Sequence, residues 1–415
     1  MRADRGDSFS QARVLSVAVV VALVLVWISP DARGATVPKV DKGKQGALYA
    51  AGELLVTYGP GASQQQLGEV VERSRARVEQ EIPAADIQLL SFPAIKHQQS
   101  GHLRKEKLRK AKEALQKRPS VEHVDYNYLR MPYYEANDPA FQDRSQWDLY
   151  RIQAPAAWNK SLGEGVRVAV VDSGIDGDHP DLKSKIALQK DLLNNDNVAN
   201  DDVGHGTHVA GTIGAVTNND LGVAAVCPAC KLLVAKVGNS TGIFDADIAQ
   251  GIYWSANNRA SAINISIGGR NYSWALKHAV DYAWDHDVVV VAAAGNEDTA
   301  APSYPAAYGH VISVSATTLQ NRKARFSNYG STIDVAAPGV KILSTVPGGG
   351  YDIKDGTSMA SPHVAALAGL LATNKGLSAS EIRRRIQRSA TDIGPEGKDR
   401  YYGWGLINAN KAVRR

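Results

Sequence analysis

The chain has 415 residues, 44% of them hydrophobic, enough to bury a large core and to hold more than one folding unit. Its formal net charge is only +5, and no aromatic residues interleave with long basic tracts, which argues against a nucleic-acid partner. Two cysteines in this length argue against a disulfide framework or a multi-cysteine metal site.

Arg2, Arg5 and Arg13 precede an apolar run over 14–28, followed by Ser29, Pro30 and the small residues Ala32, Gly34 and Ala35. This is the pattern of a secretory signal, spanning 1–35, and the run falls short of the ~20 residues that a membrane-spanning helix needs. Arg33 interrupts the cleavage box, so an uncleaved signal anchor stays open. Either way, the body of the protein is expected to be exported, and we expect it to be secreted.

A polar linker (36–46) leads to a strand at 52–58. Ser63 then caps a helix with Leu67, Val70, Val71 and Val78 at helical spacing. A strand at 87–92 follows, then a Lys/Arg-rich helix over 103–116 with Leu108, Ala111 and Leu115 on one face, and a strand at 121–128. The order predicts a small α+β domain of the split-βαβ type, with the basic helix face solvated. Periodicity is lost over 131–138, which divides a 36–133 unit from a 134–415 unit. Beyond it, strands at 166–172, 232–237, 262–267 and 288–293 alternate with helices at 207–215, 245–258 and 274–285. Helices at 358–373 and 378–389 follow. The strands are continuously apolar, as expected of a parallel sheet covered on both faces.

Four stretches carry chemistry. Residues 168–175 (VAVVDSGI) place Asp172 at the carboxyl end of an apolar strand, where the catalytic groups of open α/β sheets gather. Taken alone, it also reads as a strand-ending turn. Residues 204–211 (GHGTHVAG) set His205 at a helix start between glycines. His205 and His208 suggest a zinc pair at first sight, but no third ligand lies close, so His205 as a general base with His208 packed in the helix is the better division. Residues 288–297 (VVVVAAAGNE) end a buried strand on Asn296, a side-chain amide suited to an oxyanion, or otherwise a turn residue. Residues 356–371 (GTSMASPHVAALAGLL) put Ser358 at the start of an apolar helix, where free N–H groups and the helix dipole favour negative charge. Pro362 sits at a tolerated first-turn position.

In the order Asp172, His205, Asn296, Ser358, these motifs, together with NISIGG at 264–269, resemble the subtilisin-like serine proteases. The resemblance runs from about Asn137 to the C-terminus. NDP at 137–139, IQAP at 152–155, AVTNN at 215–219 and DVAAPG at 334–339 resemble the thermitase branch. The unit before it resembles the family's inhibitor-like propeptide. The resemblance implies a three-layer subtilisin-like α/β fold with a mostly parallel sheet, preceded by a small ferredoxin-like propeptide domain. It also implies a monomeric endopeptidase with Asp172, His205 and Ser358 as triad and Asn296 as oxyanion donor. The resemblance assigns Ser266, Ile267 and Gly268, with Ala293 and Gly295, to the walls of the S1 cleft, and Gly242 to the opposite rim. An apolar or aromatic P1 preference is the default, with Glu297 and Asp298 near S1 tolerating basic residues.

Calcium is the implied structural ion. Asp138, Asp181 and the Asn219 side chain, with the carbonyls of Val216, Leu221 and Val223, resemble one site. Asp191 and Asp196, in the acidic loop 191–202, resemble a second, where Asn194 stands in place of an expected acid; a solvated loop is the alternative. In an exported chain, Cys227 and Cys230 are expected to form a local disulfide rather than remain free thiols. The pro-unit is expected to act as folding chaperone and tethered inhibitor, its tail lying in the cleft. Self-cleavage would fall at Tyr133–Tyr134 or Ala136–Asn137. A dedicated processing protease and an inactive binding module are the competing readings.

Overall fold

The computed structural model describes residues 39–42, 47–129 and 134–414. The expected signal segment and residues 130–133, at the expected boundary, lie outside them. Two compact units divide between Pro132 and Tyr133.

In the first unit, β1 (Val40–Lys42) pairs antiparallel with β2 (Leu48–Tyr58), so part of the expected linker is a strand. Helix α1 (Gln64–Ser74) opens on a capping box between Ser63 and Gln66 and stops where Arg75 turns left-handed, φ 55°. Val78 therefore belongs not to the helix but to β3 (Arg77–Ile82), an exposed edge strand that pairs with β4 (Ile87–Ser91). Helix α2 (Gly101–Gln116) and β5 (Val121–Tyr128) complete the unit, with Leu54, Val56, Leu90, Leu108 and Leu115 in its core. The sheet runs β1-β2-β4-β3, with β5 also on β2. Most of α2 is polar, but Arg104 is not solvated. Its guanidinium is buried and grips the Asp41 carboxylate (Nε to Oδ2 2.7 Å), clamping β1 to α2.

The second unit is built on one parallel sheet. Its strands are β6 (Arg167–Asp172), β7 (Ile186–Asp191), β8 (Lys231–Lys236), β11 (Ala262–Ile265), β12 (Val289–Ala293), β13 (Val311–Thr317) and β14 (Val335–Pro338). They are ordered β14-β13-β12-β11-β6-β8-β7, every pairing parallel. Between β8 and β11 lie the two-stranded hairpin β9 (Gly238–Asn239) with β10 (Gly242–Ile243), and then helix α4 (Asp245–Asn257). Helices α3 (His205–Gly214), α5 (Trp274–Asp285), α6 (Thr357–Ala372), α7 (Ala379–Ser389) and the short α8 (Ala409–Ala412) complete the layers, with hairpin β15 (Ile342–Val346) and β16 (Gly350–Lys354) before α6.

Because strand side chains alternate, β6 feeds two cores. Val168 and Val170 pack with α3 and α6, whereas Ala169 and Val171 pack with α4 and α5. Helix α6 is buried almost all round, which places it at the centre of one layer. Among the described residues, no helix is long and apolar enough to cross a membrane.

Removing Arg104 leaves the Asp41 carboxylate buried without a partner, a change that costs about 3–5 kcal/mol. Arg104→Ala should therefore raise amide hydrogen exchange across 101–116 and 48–58 while leaving the sheet of the second unit protected.

Candidate active site

The chain passes from β8 on one side of β6 to β11 on the other, so the carboxyl ends of β6 and β11 flank a switch point, the usual place for a site in such a sheet. Asp172 ends β6, buried to 1% exposure. Its Oδ1 accepts the Ser173 N–H (2.8 Å) and lies 2.7 Å from His205 Nδ1. The Asp172 charge raises the affinity of the His205 imidazole for a proton above the ordinary value, against burial, which lowers it.

His205 reaches this carboxylate because α3 starts against the end of β6. Gly204 turns left-handed (φ 80°) just before the helix. A Cβ on Gly206 would stand 2.2 Å from the Gly174 carbonyl oxygen, so only glycine permits the approach. Asp201 locks it. Its carboxylate accepts the N–H groups of Val203, Gly204 and Thr207 and the hydroxyls of Ser173 and Thr207. Burial raises the Asp201 pKa, but these hydrogen bonds win and hold it below the usual carboxylate value. The sequence reading passed over Asp201, although an acid three residues before a Gly-His pair is a visible capping signal.

Ser358 lies in the first turn of α6, after Gly356. Its hydroxyl donates to the Ser266 carbonyl (3.1 Å), and Ser266 Oγ donates to the Ser358 carbonyl (2.9 Å). The structure thus joins the turn after β11 to the start of α6, with the Ser358 hydroxyl pointed at Ser266 rather than hydrogen-bonded to His205. Asn296 Oδ1 accepts both the N–H and the hydroxyl of Thr357, each at 2.9 Å. With the oxygen so engaged, Asn296 Nδ2 is the end left to donate outward. Gly295 N–H donates to the same Thr357 hydroxyl (3.1 Å). Thr357 is therefore the residue that orients the amide, a role sequence reasoning did not assign.

Ile267 and Gly268 continue the chain from β11, and Ala293 and Gly295 lie at the end of the neighbouring β12, so the two expected cleft walls are adjacent. A Cβ on Gly295 (φ 103°) would meet Asn328 Nδ2 at 2.3 Å. Asn328 donates to Ala294 O (3.0 Å) and to Glu297 Oε2 (2.7 Å), and Asp298 pairs with Lys323 at 2.7 Å. Of the two acids expected to tolerate basic residues, Asp298 is paired with a cation of the chain, whereas Glu297 accepts only a neutral amide and keeps its charge. Gly242 lies in the β9–β10 hairpin.

His208 donates from Nε2 to the carbonyls of Ile342 and Asp352 (3.1 Å each), and burial pushes its pKa down to about 4, so it is a neutral packed residue. Cys227 and Cys230 are bonded to each other in the core (Sγ–Sγ 2.00 Å).

Asp138 and Asp181 are both fully buried. Burial and the nearby Asp181 raise the Asp138 pKa, and among the described residues neither carboxylate has a Lys, Arg or His partner. Their oxygens accept the N–H groups of Asn218 and Val223 and the Tyr351 hydroxyl, all uncharged donors, so two buried acids without a cationic partner suit a hard cation. Asn219 presents its Nδ2 to Asp181 Oδ1 (2.6 Å), so a ligand role requires that amide to be turned over. The loop of Asp191 and Asp196 differs. Asp191 accepts the N–H groups of Leu193 and Asn194 and the Asn194 amide, and Asp196 accepts the Val198 N–H. It is a self-capped turn and does not fit a cation as it stands. Among the described residues, no group of three or more His, Cys, Asp or Glu side chains could hold a metal ion.

A carboxylate whose pKa is lowered by folding adds stability above its unfolded pKa, and that stability fades as the pH falls through the folded value. Asp201→Asn should therefore lower stability by about 2 kcal/mol at neutral pH. The difference from wild type should shrink in acid, as read by thermal melts from pH 7 to pH 3.

The subtilase family model matches residues 163–405, and a fervidolysin N-terminal prodomain model matches 35–127. The chain is 44% identical over 283 residues to thermitase of Thermoactinomyces vulgaris, covering 68% of this chain and all of the relative. It is 43% identical over 271 residues to subtilisin Savinase of Lederbergia lenta, covering 65% of this chain and 98% of the relative. A solved protease structure from Pseudoalteromonas arctica superposes with a TM-score of 0.63 at 32% identity, over 68% of this chain and 99% of that one. With a parallel sheet whose switch point gathers an Asp, a His and a helix-start Ser, and with these matches across both units, the chain belongs to the subtilase family as a thermitase-like serine protease with an N-terminal prodomain.

Proposed function

We propose that the protein is a secreted endopeptidase, made with a signal over 1–35 and an inhibitory propeptide over 36–133, whose 134–415 unit cleaves peptide bonds through Ser358, His205 and Asp172. The observation that carries this reading is the 2.7 Å contact between His205 Nδ1 and Asp172 Oδ1 at the carboxyl edge of the sheet. An extended substrate strand would pair with the backbone of Ser266–Gly268 and Ala293–Gly295. A substrate N–H bonding to the Ser266 carbonyl would displace the Ser358 hydroxyl from that acceptor and free it to turn towards His205 Nε2.

Ser358 Oγ then bonds to the scissile carbonyl carbon as its proton passes to His205, and the carbonyl π pair becomes an oxyanion. Asp172 holds the Nδ1–H tautomer and stabilises the imidazolium. The oxyanion receives hydrogen bonds from Asn296 Nδ2 and the Ser358 N–H. Collapse breaks the C–N bond as His205 protonates the leaving amine. Water repeats the sequence on the acyl-enzyme, releasing the acid and restoring the Ser358 hydroxyl. An apolar or aromatic P1 preference is the default reading; the Asp298–Lys323 pair removes one of the two acids that would tolerate a basic residue, and Glu297 retains its charge.

Calcium, if bound, would be held by Asp138, Asp181 and the carbonyls of Val216, Leu221 and Val223, and would supply the positive charge that those two buried acids lack. It would tie the start of the catalytic unit at Asn137 and Asp138 to the 216–223 loop.

A fluorophosphonate should label Ser358 in the mature enzyme, and Ser358→Ala should leave the precursor uncut; an unlabelled, folded protein overturns the reading. Asn296→Ala should lower kcat by about 10²–10³ with KM little changed, a magnitude taken from the equivalent donor of a subtilisin rather than derived from this geometry. Chelation should lower the Tm by about 5–10 °C, the effect of losing an ion present at ~100 times its Kd. An unchanged melt removes calcium from the first site.

A further inference from the structure

The far end of the catalytic unit carries a charge pattern that proteolysis does not use. Helix α7 and the chain around α8 enclose an open groove of about 520 Å³, lined by Arg384, Arg385, Arg388, Lys411 and Arg414, with Glu381 as its only acid. Among the described residues, none of the five cationic side chains forms an ion pair or hydrogen bond. Their neighbour Arg383 shows the contrast. It pairs with Asp334 at 2.9 Å and also donates to the Gly309 carbonyl, so it belongs to the fold.

Glu381 does not neutralise the groove. Its carboxylate is the capping-box acceptor for the Ser378 N–H (2.8 Å) and hydroxyl (2.7 Å) at the start of α7. Those bonds, then Arg384 and Arg385, hold it below the usual carboxylate value. The positive field also extends beyond the lining. Burial, followed by the charge of Arg414, lowers the pKa of Lys160, whose Nζ donates to Asn410 Oδ1 (3.1 Å) beside Lys411. Like charges set this close repel unless an anion lies among them.

The layout selects the anion. Arg384, Arg385 and Arg388 lie at i, i+1 and i+4 of one helix, and Lys411 and Arg414 lie at i and i+3 around α8, so each of two segments spreads its cations over about one helical turn. A single phosphate would engage one or two of them, whereas a linear chain of phosphates would engage all. Arg forks suit phosphate oxygens. No aromatic side chain lines the groove for a base to stack on, which disfavours nucleic acid, and no large exposed apolar side chain projects from it to enter a bilayer.

We propose that this groove is an exosite for a linear phosphate polymer without stacking bases, which would hold the protease at phosphate-rich surfaces while its active site stays free.

Binding of fluorescent long-chain inorganic polyphosphate to the full chain, held uncut in every variant by Ser358→Ala, followed by anisotropy, tests this. Wild type should bind at low salt and lose affinity steeply as NaCl is added. The triple variant Arg384→Glu, Arg388→Glu, Lys411→Glu should bind at least about tenfold more weakly, since each reversed contact removes a charge-assisted hydrogen bond. Placed in the active, processed enzyme, the same three changes should leave casein hydrolysis unchanged, which shows that the variant folds. A matched reversal on the prodomain helix (Lys105→Glu, Lys107→Glu, Lys110→Glu) should change affinity by less than the groove variant does. The proposal is overturned if wild type does not bind, if the groove variant binds as wild type, or if the prodomain variant loses as much. Tighter binding of duplex DNA or of anionic phospholipid vesicles through the same three residues also overturns it, by assigning a different ligand.

Discussion

The catalytic unit depends on how closely helix α3 can approach the end of β6. The Asp172–His205 contact spans two elements separated in the chain by a stretch that includes β7, and a shift of one ångström would break a 2.7 Å hydrogen bond. Two features hold the approach. Gly206 leaves no side chain to keep the helix away from Gly174, and Asp201 gathers five donors from both sides of the junction. The first removes a steric obstacle, and the second supplies the attraction. Neither residue takes part in the proposed chemistry, but without them the imidazole would not meet its carboxylate.

Buried charge is handled in three different ways in this chain. Arg104 and Asp41 neutralise each other and fasten a short hairpin to a helix. His363, on the helix of Ser358, sets Nε2 against Asp148 Oδ2 (2.9 Å) and Nδ1 against the Met359 carbonyl (2.8 Å), anchoring that helix to the Trp147–Arg151 turn. Asp138 and Asp181 are both buried, have no Lys, Arg or His partner among the described residues, and accept only neutral donors from Asn218, Asn219, Val223 and Tyr351; the loop of Asp191 differs in leaving Asp196 exposed.

The elements most legible in the sequence have an unbroken apolar run or a clear apolar face. β6, β8, β11 and β12 fall within two residues of their predicted limits because continuous apolar runs leave little choice of structure, and helix 274–285 and strand 121–128, each only partly buried, match theirs. The elements missed are mostly edges and hairpins, together with β13, which is buried along its length but interrupted by Ser313 and Ser315. β3 and β7 mix charged and apolar residues, and β1 and the β15–β16 hairpin are short or glycine-bounded, so pairing partners rather than composition make them strands. The same division holds at the site. Asp172, His205, Asn296 and Ser358 stand in compact motifs, each ambiguous alone, that point to a site only when taken together. Asp201, Thr357 and Asn328 act through hydrogen bonds to residues distant in the chain or to backbone groups, which only the folded arrangement displays.

The Thr357 contacts have a mechanical meaning beyond setting the direction of one amide. Through its N–H and its hydroxyl, the residue beside Ser358 grips Asn296, while Ser358 itself is tied to the turn after β11. The proposed attacking oxygen and the proposed anion-stabilising nitrogen therefore ride on a single rigid body, and a thermal displacement of the α6 start carries both in the same direction. Fluctuation would change how the substrate sits against this pair far more than it changes the spacing within the pair. A protease built this way can tolerate a mobile cleft rim while keeping its reactive geometry constant.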